Sequence, residues 1–74
     1  MTSKELILIL NTLSNHSDWD SDNIEKDLEN FIYENTSLEK QLVRKIVIKF
    51  LSLPALLRES PNFDVKSFIL DIKD

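Results

Sequence analysis

The chain has 74 residues, 42% of them hydrophobic and 30% charged, with a formal net charge of −4 and neither glycine nor cysteine. This length predicts one domain, residues 1–74, whose small core needs efficient packing or self-association, because no disulfide or thiolate metal site can help it. Average glycine usage of ~7% would supply about five residues, and their absence disfavours tight β-hairpins, phosphate loops and dinucleotide folds.

The first helix is predicted over about 4–14. Thr2 as N-cap with Glu5 three residues on forms a capping box. Leu6, Ile9, Leu10 and Leu13 follow at helical spacing, although Leu6–Leu10 alone could pass for a buried strand. Apolar residues cover more than one face, which predicts a central helix or one partly covered by a second subunit. Leu6–Leu10 is the longest apolar run and is too short to span a bilayer. Glu5 interrupts the basic-then-apolar order of a signal peptide, and no small-residue cleavage site follows. A cytoplasmic protein is expected, with no membrane partner.

Residues 14–22 read as a loop that includes His16, a surface histidine on this reading. A second helix is predicted over about 22–34, capped by Ser21 or Asp22, with Ile24, Leu28, Phe31 and Ile32 on one face. Acids fill its first turns, where the helix dipole favours them. Thr36 and Glu39 read as another capping box before a third helix over about 38–52. Its apolar stripe is Leu42, Val43, Ile46, Val47, Phe50 and Leu51. Pro54 starts a short helix over about 54–59, with Leu56 and Leu57 expected inward. Asn62 or Asp64 caps a last helix over about 64–73, with Val65, Phe68, Ile69 and Ile72 on one side. The predicted fold is an all-α, compact bundle of four helices plus one short helix.

Charge is uneven. Residues 1–36 carry eight acids against two bases, a net of −6, while residues 37–74 carry five acids against seven bases, a net of +2. Such asymmetry marks partner faces, or attraction within the domain.

Asp18, Asp20, Asp22 and Glu29 occupy positions 1, 3, 5 and 12 of a twelve-residue stretch. A calcium loop needs oxygen ligands at these positions. Residues 18–29 therefore resemble an EF-hand loop, and the resemblance implies calcium held by these four carboxylates. Asn23 stands where the motif has glycine, Glu25 where it has an apolar residue, and no second loop is present. The alternative is an acidic helix start that needs no metal. Trp19, inside the stretch, either covers a core edge or anchors a partner.

On a helical wheel, Lys40, Arg44, Lys45 and Lys49 fall opposite the apolar stripe of the third helix, with Ile48 in their midst. This is either a solvated face or an apolar anchor in a charged rim, the layout of a binding patch. The second and third helices also have the order of a helix-turn-helix, which would make the third a reading helix for nucleic acid. An isoelectric point near 4.8 and the lack of a basic arm argue against that use.

Catalysis is not expected. The chain has one histidine, no cysteine, no HxxxH pair and no nucleophile elbow, and a bundle of this size has little room for a substrate cavity. Three functional expectations result. The first is a small acidic, non-enzymatic protein–protein interaction module (a regulator, adaptor or inhibitor) that works without a cofactor through Trp19, Lys40, Arg44, Lys45, Ile48 and Lys49. It would self-associate as a homodimer through the first helix or the exposed part of the last. The second is calcium binding at 18–29, and the third is nucleic-acid binding through the third helix. Abundant Asn, Ile, Lys and Ser fits a bacterial or phage chain from an AT-rich genome.

Overall fold

The Thr2–Glu5 box forms as predicted. Glu5 N–H donates to Thr2 Oγ1 at 3.1 Å, and Thr2 N–H donates to Glu5 Oε1 at 2.9 Å. Two orphan donors at the helix start are thereby satisfied, and α1 runs Ser3–Ser14. The computed structural model describes residues 1–73, with side chains to 72, so position 74 of the expected domain lies outside the described residues. The remaining helices are α2 (Ile24–Asn35), α3 (Lys40–Leu51), α4 (Ala55–Arg58) and α5 (Val65–Lys73), with a single 3-10 turn at His16–Asp18. All regular structure among the described residues is helical.

The four long helices pack in a closed ring. α1 lies on α2, α2 on α3, α3 on α5, and α5 on α1. Each turns its helical stripe inward. Ile9 and Leu13 come from α1, Leu28 and Ile32 from α2, Val43, Ile46, Val47 and Phe50 from α3, and Ile69 and Ile72 from α5. Burying each such side chain stabilises the fold by about 1.5–3 kcal/mol. The Cα radius of gyration is 11.4 Å, close to the ~11 Å expected of a compact chain of this length. An all-α bundle is therefore the architecture.

Several local expectations are corrected. α2 starts at Ile24, and its cap is Asn23, whose Oδ1 accepts from Lys26 N–H at 3.2 Å. Ser21 is engaged elsewhere, by Asp27 and by Asn23 N–H. The Thr36–Glu39 box does not form. α2 continues to Asn35, so Thr36 terminates it, its hydroxyl donating to Ile32 O at 2.8 Å. Glu39 itself becomes the N-cap position of α3 and makes no side-chain capping bond. Leu56 and Leu57 do not face inward; they are 89% and 43% exposed. α4 has a single turn and lies outside the four-helix ring, so Leu56 stays at the surface and Leu57 is only partly covered. Asp64 caps the start of α5 as predicted, accepting from Ser67 N–H at 3.1 Å.

His16 is also not a surface residue. It is buried, with Nδ1 2.7 Å from Leu13 O and its ring edge-on to Phe50 at 5.0 Å. A carbonyl oxygen can only accept, so Nδ1 carries the hydrogen. The loop expected over 14–22 thus contains a 3-10 turn, and that turn carries the ring into the core.

Candidate interaction surface

The inward stripe of α3 determines what it shows to solvent. With Val43, Ile46, Val47 and Phe50 buried, the other side carries Lys40, Gln41, Arg44, Lys45, Ile48 and Lys49, all exposed. Ile48 is 40% exposed. It sits in a shallow hollow of about 350 Å³ formed with Gln41, Arg44, Lys45 and Lys49. The neighbours at i−4 and i−3 are Arg44 and Lys45, whose methylene stems form apolar walls while their charges stand at the rim.

Two of the bases are oriented by α2. Arg44 Nε lies 3.3 Å from Glu29 Oε1, and the Glu29 side chain is only 8% exposed. Lys40 Nζ stands 5.9 Å from the centre of the Tyr33 ring, within cation–π range. Among the described residues no carboxylate pairs with Lys45 or Lys49. The hollow continues through Arg44 and Ile48 into a groove of about 360 Å³ between α2 and α3, lined also by Glu25, Lys26, Glu29 and Lys40 and so of mixed charge.

Trp19 belongs to a different surface. It is partly buried and edge-on to Phe31, with ring centres 5.5 Å apart. The pair closes a hollow of about 250 Å³ with Leu8, Asn11, Thr12 and Asn15 along the α1–α2 seam. Leu8 and Asn11 also line a larger groove of about 830 Å³ containing Lys4, Glu5, Ile7 and Glu34. The six predicted partner residues therefore lie on two faces, Trp19 on one and the basic residues with Ile48 on the other, the two surfaces expected from the sequence. Sequence reasoning did not select Ile7 and Phe31, which are 56% and 38% exposed. The signal for them was the excess of apolar residues on α1 and the position of Phe31 at the edge of the α2 stripe.

The carboxylates of the calcium-like stretch are not brought together. Asp18 ends the 3-10 turn, Asp20 and Asp22 are exposed in the following loop, and Glu29 is buried toward Arg44. Among the described residues no group of three or more His, Cys, Asp or Glu side chains could hold a metal ion. The helix boundary explains this. Residues from Ile24 onward are helical, so Glu29 rises along α2 instead of closing a loop around the aspartates. No helix among the described residues is long and apolar enough to cross a membrane. No protein family, curated protein or solved structure matches this chain.

Proposed function

We propose that this chain is a small, non-enzymatic protein–protein interaction module, a regulator, adaptor or inhibitor, and that it docks an acidic protein surface on the exposed face of α3. The observation that carries this reading is Ile48, partly exposed in a hollow formed with Arg44, Lys45 and Lys49, with Lys40 in the adjoining groove. An apolar centre inside a polar rim is the anatomy of a binding patch. The anchor supplies affinity, while the rim charges steer association and select the sign of the partner.

Arg44 and Lys40 enter the interface pre-positioned by Glu29 and Tyr33, which lowers the entropy lost on binding. Lys45 and Lys49 keep their charge for the partner. The chain as a whole is acidic, which favours a compact acidic protein patch over a long polyanion. Self-association and a cytoplasmic setting belong to the same reading.

The test is chemical cross-linking in a lysate of the source cells, with wild type compared against Ile48→Glu and against Lys45→Glu combined with Lys49→Glu. Wild type is expected to form cross-links concentrated on α3, and both variants are expected to lose them. Equal cross-linking by all three chains would remove α3 as the docking face. A gel shift with duplex DNA that Lys45→Glu and Lys49→Glu abolish would replace the protein partner with nucleic acid.

A further inference from the structure

The seam between α1 and α2 is the second apolar-centred surface. Ile7 and Phe31 are its exposed centre, and Leu8 is shared by the two hollows that run along it, making them one continuous track. Asp27 and Glu34 flank Phe31 at i−4 and i+3 on the outer side of α2, and both are exposed. Glu5 and Glu34 line the larger hollow, and Lys4 is the only base there. This rim is therefore acidic, whereas the rim around Ile48 is basic. The two hollows that hold Ile7 and Phe31 share no lining residue with the one around Ile48, so both faces can be occupied at once.

We propose that a second copy of this chain docks here, the Ile48 face of one copy seating on the Ile7–Phe31 groove of the next. The proposal rests on the reading of α3 as a docking face and names one partner for it. Charge selects this pairing over the simpler two-fold ones. Groove on groove would set acid against acid, and α3 on α3 would set base against base, and like charges at an interface are costly. Face on groove places Lys45 and Lys49 opposite Asp27 and Glu34. The contact is heterologous, so two copies close only if both contacts form reciprocally; otherwise the chain adds further copies.

Two variants test this by complementation. Ile7→Glu removes the groove centre and Ile48→Glu removes the face centre, each at an exposed position where the fold tolerates the change. Circular dichroism checks that both remain helical. In sedimentation velocity, wild type is expected to gain mass with concentration. Each variant alone is expected to lose association by about tenfold or more, the effect of deleting an anchor. An equimolar mixture of the two is expected to recover a 1:1 pair, because one chain keeps its groove and the other its face. Raising ionic strength to about 0.5 M, where the Debye length is a few Å, weakens association several-fold.

Wild type that stays monomeric at about 1 mM, a mixture that never pairs, or an Ile48→Glu chain that associates like wild type would each overturn the proposal. Loss of lysate cross-links on α3 with self-association intact would instead count against a foreign partner. A monomer that still captures lysate protein through α3 would remove only the self-docking.

Discussion

Glu5 accepts three hydrogen bonds, from Thr2 N–H at 2.9 Å and from the Ser37 N–H and hydroxyl at 2.7 and 2.8 Å. These bonds fasten the start of α1 to the α2–α3 connection. The Thr2 backbone N–H first, then that of Ser37, lowers the Glu5 carboxyl from 4.5 to about 2. A depressed folded-state pKa means stability that is complete above pH 4.5 and lost as pH falls through about 2. Glu5→Gln should therefore flatten the dependence of stability on pH across that window, measured as urea midpoints at successive pH values. Glu29 and Arg44 make a second residue-scale prediction. Arg44→Met leaves a nearly buried carboxylate without its cation, and stability should fall by about 1–2 kcal/mol in urea unfolding. Glu29→Gln should cost less, because an amide tolerates burial better than a charge.

The ends of helices show how neighbouring elements decide what a motif does. Thr2 had no competing use, so its capping box formed, and Thr2→Ala should cost about 1 kcal/mol. Thr36 had the same sequence signature but was consumed by the end of α2. Its box was unreadable in advance because it depended on where the preceding helix stopped. The acidic stretch failed to gather for a similar reason: a helix beginning at Ile24 carries Glu29 away from Asp18, Asp20 and Asp22. Proton–nitrogen NMR spectra recorded in EDTA and in excess calcium are expected to overlay at residues 18–29. Saturating shifts there and at the Trp19 indole would restore the metal reading. α4 supplies a matching expectation. Leu56→Glu should change stability by no more than about 0.5 kcal/mol, the range for an exposed side chain.

At the scale of the molecule, Phe50 connects the parts. It meets His16, Phe63 and Phe68 with ring centres 5.0, 6.2 and 6.0 Å away, so it ties the 3-10 turn, the α4–α5 connection and α5 to α3. Phe50→Ala removes about 3–5 kcal/mol. A chain of this size has little more to lose, so the variant should be largely unfolded at room temperature by circular dichroism.

Helix number, order and most of the inward stripes of the four long helices were legible in the sequence, because amphipathic period and the lack of glycine are local properties. Phe31, Leu56 and Leu57 departed from that pattern where no neighbouring helix covered them fully. Ile48 among its four bases was legible for the same reason: one helix carries all of them. Tertiary structure decided everything that depends on two segments meeting. It turned His16 into the core, set Glu29 against Arg44 and Tyr33 beneath Lys40, and laid Trp19 edge-on to Phe31. It also left Ile7 and Phe31 uncovered on an acidic seam. A single segment's spacing determines which of its side chains share a face, but only the neighbouring helices determine whether that face is covered.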